Sequence, residues 1–308
     1  MEFGPNLILA LIEGSVLAAV LTLTAVGLSL VFGVMRVVNV AHGEFYMLGA
    51  VLAYVIASMI GGAPAIAFIA ALIIAPLLVG CLAALADIVI LKRINYDPEN
   101  TIVATIGILY IIQQITLVTF GPDARPVEAP FNHRLSIPWF EFKDGAWEMY
   151  WPWGLGTTSY KLFVIFAAIA IMVALWMFIS RTKAGLIMRA TQLDRDMAQS
   201  FGMPVDRVNA LVFGAGAALA ALGAVLIVPI QQAHYQMGEE PLLLAFIVVI
   251  IGGLGSLPGT IVAAIFIGLS DGIISIFFSP TLAKILSTLL VAFVLIFRPQ
   301  GLFGKAER

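Results

Sequence analysis

Charged residues are scarce in this chain. Only 11% of its 308 residues are Asp, Glu, Lys or Arg, and the mean hydropathy is +1.05. An apolar stretch at 282–297 contains a single charged residue, Lys284. The stretches without any charged residue are 14–35, 45–60, 63–86, 101–120, 162–180, 208–230 and 241–270. A soluble core has no room for this much apolar surface, so the composition predicts that lipid surrounds the protein.

The uncharged stretches are continuous, which predicts helices rather than the alternating strands of a membrane barrel. As a helix, residues 14–35 would be ~33 Å long at ~1.5 Å per residue, enough to cross a hydrocarbon layer of ~30 Å. The sequence therefore predicts an all-α fold. It is a single domain over residues 1–308, a polytopic transmembrane helix bundle with about eight to ten membrane segments, some of them discontinuous.

Several kinds of chemistry are missing. A net charge of -2 predicts no nucleic-acid partner, and one cysteine, Cys81, excludes a disulfide within the chain. The sequence has no GxxxxGK[ST] loop, no nucleophile beside a base and no metal-ligand cluster. We therefore expect a protein that is not an enzyme and binds no cofactor or metal, and whose energy comes from a partner or an ion gradient.

Loop charges predict the orientation. Lys and Arg concentrate in 87–99, in 181–207 and at the C-terminus, so all three are expected in the cytoplasm. Residues 121–160 combine acidic side chains with four tryptophans and are expected outside. Residues 231–240 are then a short external turn. The stretch 241–279 is too long for one crossing and is expected to be two helices or a broken one.

A polar stretch follows the first apolar run, at Asn39, His42, Gly43 and Glu44. One interpretation is a short cytoplasmic turn. The other is a break in the middle of the membrane whose polar groups face a translocation path, because polar groups and irregular backbone survive at that depth only when buried in protein or lining a cavity.

A glycine-rich stretch at 252–259 includes Gly253, Gly255 and Ser256. Small residues allow close helix packing, whereas the glycines and Pro258 also predict a change in chain direction that could line a pore. Asp271 follows within an apolar stretch. An intramembrane carboxylate is a candidate functional group, and a buried structural role is the alternative.

The stretch 184–201 has one apolar stripe at helical spacing. Its members are Leu186, Ala190, Leu193, Met197 and Phe201. We expect one helix that stops near Gly202. It either covers the end of the bundle or docks a cytoplasmic partner.

These motifs in combination resemble the permease subunits of branched-chain amino acid ABC transporters. The resemblance rests on Asn39–Ala50, on Gly185–Gly202, on 252–259 and on 298–302, and it runs from about residue 8 to 304. The segment 121–160 fits least well. The resemblance implies that the stretch 181–207 is a cytoplasmic coupling loop. Its candidate ATPase-contacting residues are Gly185, Arg189, Ala190, Asp194, Ala198 and Gly202.

The resemblance also implies an assembly in a bacterial inner membrane. Its expected partners are a second permease subunit, two cytoplasmic ATP-binding subunits that use ATP, and a periplasmic substrate-binding protein. The chain would be the shorter permease. Candidate path residues are Asn39, His42, Gly43, Glu44, Gly253, Gly255, Ser256 and Asp271. A urea or short-chain amide permease is an alternative within the same group. Two alternatives come from other classes of protein. One is an ion-coupled secondary transporter, and the other is a membrane enzyme that uses His42 and Glu44 as acid–base groups.

Overall fold

The computed structural model describes residues 3–143, 146–151, 156–297 and 301. The helices are α1 (Phe3–Met35), α2 (His42–Ile60), α3 (Pro64–Val89), a 3-10 turn (Leu91–Ile94), α4 (Pro98–Phe120), α5 (Ser159–Arg181), α6 (Lys183–Leu193), α7 (Arg195–Ser200), α8 (Val205–Gln231), α9 (Glu239–Gly252), α10 (Leu257–Phe277) and α11 (Pro280–Phe297). The strands are β1 (Arg134–Ser136), β2 (Trp139–Lys143), β3 (Ala146–Tyr150) and β4 (Gly156–Thr158).

The fold is the polytopic helical bundle that the sequence predicts. Seven of the helices in the described ranges are long and apolar enough to cross a membrane: α1, α2, α3 with its 3-10 turn, α4, α5, α8 and α10. The apolar helices α9 and α11 add two shorter segments, which brings the total within the predicted eight to ten. At ~1.5 Å per residue, α9 is only ~21 Å long and crosses part of the layer.

Helices α1 and α8 form the centre of the bundle, because most of their residues are buried while α4 and α5 are largely exposed. Glycines allow the central helices to touch. A Cβ at Gly27 of α1 would lie 2.5 Å from the carbonyl oxygen of Gly216 in α8, and one at Gly49 of α2 would lie 2.6 Å from Ala221. Such small-residue contacts replace hydrophobic burial as the packing force where the solvent is lipid.

The connections lie at two ends of the bundle. At one end, called the hairpin end here, β1 pairs with β4 and β2 with β3, both antiparallel. The all-α prediction contained neither small sheet. The other end, called the α6–α7 end, holds those two helices and the turn between α3 and α4. The Lys92 ammonium forms an ion pair of 2.9 Å with Asp206 there.

The stretch 241–279 is divided as predicted. Helix α9 ends at Gly252, and Gly253 and Gly255 have φ angles of 99° and 78°, which favour glycine. Ser256 then caps α10, since its hydroxyl accepts a hydrogen bond from the Gly259 N–H. The prediction for 231–240 is wrong in part. Glu239 and Glu240 belong to the first turn of α9 rather than to a loop.

Candidate functional site

The chain between α1 and α2 turns back into the bundle. The Val40 N–H donates to the Thr105 hydroxyl at 3.2 Å, and His42 Nε2 lies 2.9 Å from the Thr24 carbonyl oxygen. Thr24 is ~16 Å along α1 from its end at Met35, inside the uncharged run 14–35. Helix α2 therefore begins within the apolar layer. This geometry favours the break over the cytoplasmic turn for residues 36–41.

Three polar side chains of this break are enclosed by protein. Asn39, His42 and Glu44 are at most 1% exposed. Both amide atoms of Asn39, His42 Nδ1 and Glu44 Oε2 have no hydrogen-bond partner among the residues that the structure describes. Buried polar atoms normally have a partner, so these atoms are chemically available to a water, a substrate or a rearranged neighbour. Their role in a substrate path stays a prediction.

The N-termini of α2 and α9 meet inside the bundle. A Cβ at Gly43 would lie 2.5 Å from the Gly238 carbonyl oxygen, so backbone packs on backbone. Glycine at 43 is thus explained by this contact. It places the first turn of α9, with Glu239 and Glu240, beside the first turn of α2.

Charged side chains gather where these two helices begin. Glu239 accepts a hydrogen bond from Gln113 Nε2 at 3.1 Å, and Glu240 forms an ion pair of 3.0 Å with Lys284 of α11. Glu44 lies within electrostatic range of Glu239, and Asp271 lies within that of both Glu240 and Lys284. Asp271 also accepts a hydrogen bond of 3.4 Å from Ser275. These residues form the intramembrane charge cluster: Glu44, Glu239, Glu240, Asp271 and Lys284.

Sequence reasoning missed three of the five members of this cluster. It placed Glu239 and Glu240 in an external turn and gave no weight to Lys284. The available signal was that Lys284 is the sole charge in 282–297, because an isolated charge in an apolar helix needs a partner. Asp271 had no identifiable partner from sequence, since its neighbours come from α9 and α11.

Gly253, Gly255 and Ser256 lie at the α6–α7 end rather than in the charge cluster. A Cβ at Gly255 would lie 2.9 Å from the Gly33 Cα of α1, and the Gly255 carbonyl accepts a hydrogen bond of 3.0 Å from Gln192 of α6. Close packing thus accounts for the glycine at 255. The α9–α10 turn is in direct contact with the stretch predicted to couple to a partner.

Residues 184–201 form two helices, so the prediction of one continuous helix is wrong. Asp194 is extended, with φ −153° and ψ 109°, and its carboxylate caps α7 by accepting from the Met197 N–H at 2.9 Å. Polar side chains such as Asp compete with helical hydrogen bonds in this way. Asp194, a predicted partner contact, therefore has a structural role as an N-cap.

The apolar stripe of α6 and α7 faces away from the bundle. Leu193 is 75% exposed and Phe201 is 76% exposed, and Leu186 and Met197 are exposed as well. Arg189 is exposed on the same helices, and Ala190 is half-buried. The stripe therefore does not cover the end of the bundle within this chain. This exposure favours the docking alternative, which stays a prediction.

The other coupling candidates are explained by packing or turns. A Cβ at Gly185 would lie 2.1 Å from the Ile179 carbonyl oxygen, and Ala198 is buried. Gly202 has φ +77°, which ends α7 at little conformational cost.

Helix α7 is held to the bundle through Tyr96. The Arg195 guanidinium lies 4.9 Å from the centroid of the Tyr96 ring, and the Tyr96 hydroxyl donates to Asp87 at 3.4 Å. Burial raises the pKa of Tyr96 to about 12, so the phenol stays protonated and remains a donor at neutral pH.

Comparisons with known proteins bear on the family of the chain. The family model described as "Branched-chain amino acid transport system / permease component" matches residues 10–296. The "High-affinity branched-chain amino acid transport system permease protein LivH" of Salmonella typhimurium is 27% identical over 96% of this chain and 94% of its own length. BraD of Pseudomonas aeruginosa, with the corresponding description, is 26% identical over 96% and 95%. A probable LivH of Methanocaldococcus jannaschii is 24% identical over 98% and 94%. No solved structure matches the chain.

Proposed function

Because the chain belongs to the permease family of branched-chain amino acid transport systems, we propose that it is one of two permease subunits of an ABC importer. The importer carries branched-chain amino acids across a bacterial inner membrane. The observation that carries the proposal is the family match over residues 10–296. The similar proteins from Salmonella and Pseudomonas, whose names describe branched-chain amino acid transport, support the substrate class.

The exposed stripe on α6 and α7 supports docking of a separate ATPase. Its exposed apolar members are Leu186, Leu193, Met197 and Phe201. The sequence has no phosphate-binding loop of the GxxxxGK[ST] type, so ATP is bound and used by partner subunits while this chain binds no cofactor. A second permease subunit completes the path, and a periplasmic protein delivers the substrate.

The contacts at the α6–α7 end provide a route for coupling. Gln192 joins α6 to the α9–α10 turn at Gly255, and Gly255 packs on Gly33 at the end of α1. Movement of α6 with an ATPase therefore pulls on three membrane helices at once. Such a movement would switch the bundle between inward-facing and outward-facing states, as in alternating access.

Transport by a reconstituted complex tests this proposal. The chain, its sister permease, two ATPases and the binding protein are placed in vesicles, and we expect ATP-dependent accumulation of labelled leucine, isoleucine or valine. Urea and short-chain amides serve as competitors. Accumulation of urea without leucine would contradict the substrate, and leucine uptake driven by an ion gradient without ATP would contradict the class of transporter.

Cysteine labelling tests the orientation. In a Cys81→Ala background, we expect His133→Cys at the hairpin end to react with an impermeant thiol reagent added outside intact cells. Asp196→Cys of α7 should react only after the membrane is opened. Both positions are exposed in the structure, so access to the compartment limits the reaction. Labelling of position 196 from outside intact cells would show that the orientation is the opposite of the one expected. The expected cytoplasmic C-terminus, 299–308, falls outside the described residues except for Gly301.

A further inference from the structure

The intramembrane charge cluster lies within the apolar layer of the bundle. Glu239 bonds to Gln113, which stands inside the uncharged run between Thr101 and Phe120. The preceding residue, Gly238, packs on Gly43 in the first turn of α2. The charges of α9 are therefore placed at membrane depth by two independent contacts. They lie toward the hairpin end, because Gln113 is nearer to Phe120 than to Thr101.

Three charged residues of the cluster, Glu239, Glu240 and Lys284, are exposed on the surface of the chain. The side chains of Glu240 and Lys284 are 57% and 55% exposed although they form an ion pair. A charged side chain facing hydrocarbon costs about 2.5–3.5 kcal/mol by insertion scales. The Glu240–Lys284 pair is therefore matched to polar surroundings rather than to lipid. Both groups keep room for a further polar ligand.

A buried group of the cluster supports the same conclusion. Glu44 is 1% exposed, and its Oε2 has no hydrogen-bond partner among the described residues. The Glu239 carboxyl lies within electrostatic range of Glu44. The Glu44 carboxyl thus lies at the junction of two helix N-termini, with unused hydrogen-bonding capacity.

We propose that Glu239, Glu240 and Lys284 line the translocation path and contact the charged groups of a zwitterionic amino acid. The carboxylates of Glu239 and Glu240 receive the substrate ammonium, and the Lys284 ammonium receives the substrate carboxylate. Glu44 is the buried acceptor of the cluster. This inference rests on the proposed function. It also separates amino acids from urea and simple amides, which have no charges for Lys284 and Glu240 to bind.

Uptake by charge-removing variants tests the inference. In the reconstituted complex, Lys284→Gln and Glu240→Gln should each lower leucine uptake at least about tenfold, since each variant removes a charge that contacts the substrate. ATP hydrolysis stimulated by the binding protein should stay within about twofold of wild type, because α6 and α7 are unchanged. The matched control is Lys161→Gln, which breaks the Lys161–Glu13 ion pair of α5 and α1. It should leave uptake near wild type.

Water access provides a second measurement that needs no transport. In the Cys81→Ala background, Lys284→Cys should react with a cationic, membrane-impermeant thiosulfonate. Leucine together with the binding protein should slow that reaction. Leu289→Cys is the control, because Leu289 is exposed on the same helix but is not a member of the intramembrane charge cluster. It should react much more slowly.

The outcomes separate the two proposals. If wild type imports leucine and Lys284→Gln transports as well as Lys161→Gln, the Glu240–Lys284 pair is an ordinary ion pair. The path assignment is then overturned, while the proposed function stands. Equal labelling of positions 284 and 289 also overturns the path assignment. If the wild-type complex imports no branched-chain amino acid, the proposed function fails. In that case, the labelling of Lys284→Cys is still informative. If leucine does not slow it, the contact between Lys284 and a zwitterionic amino acid is excluded as well.

Discussion

Replacing Leu193 with glutamate is expected to release the ATPase subunits from the permease. Leu193 is 75% exposed in the isolated chain and belongs to the apolar stripe of α6 and α7. A carboxylate buried at that contact would lack a partner, and central interface residues cost about 2–4 kcal/mol when they are lost. At ~1.4 kcal/mol per tenfold, the ATPases should bind at least about thirtyfold more weakly. The measurement is the ATPase content of the complex purified through a tag on this chain.

A variant with the same added charge provides the control. Gln199→Glu lies on α7, is exposed and is not a member of the stripe. It should purify with its ATPases and transport normally. Leu193→Glu should still insert in the membrane, because Leu193 packs on little of its own chain. Normal ATPase content and uptake with Leu193→Glu would exclude this stripe as the docking surface.

Replacing Gly238 with alanine is expected to abolish uptake and to lower the thermal stability of the permease. The new Cβ would lie 2.0 Å from the Gly43 carbonyl oxygen and 2.4 Å from its carbon. Gly238 has ordinary helical angles, φ −81° and ψ −20°, so alanine is not strained by its own backbone. The whole effect is therefore steric, and overpacking against backbone costs about 1–3 kcal/mol or more. Uptake and the unfolding midpoint measure it.

Gly107→Ala is the matched change for this prediction. A Cβ at Gly107 meets nothing within 4 Å, and the residue lies inside α4. Alanine is the better helix former by about 0.8–1.0 kcal/mol, so this variant should be as stable as wild type or slightly more stable. Equal stability and uptake of the Gly238→Ala and Gly107→Ala variants would show that α2 and α9 do not meet as closely as Gly43 and Gly238 indicate.

Much of the fold was readable from the sequence, because lipid imposes simple rules. Uncharged runs of about twenty residues must be helices at membrane depth, so the long helices fall on runs such as 14–35 and 208–230. The division of 241–279 at the glycines follows from backbone freedom at Gly253 and Gly255. The small sheets at the hairpin end were not predicted, since strands as short as Arg134–Ser136 leave little periodic signal.

The sequence by itself determined that this protein is a bundle of membrane helices and marked Asn39, His42 and Glu44 as exceptional, because apolar runs and the polar residues that interrupt them are visible without coordinates. The tertiary structure alone decided which groups meet. Glu240 and Lys284 are distant in the chain, and they pair only because α9 begins inside the bundle beside α11. The outward direction of Leu193 and Phe201 was likewise undecided, since periodicity defines a stripe but not the neighbour that it faces.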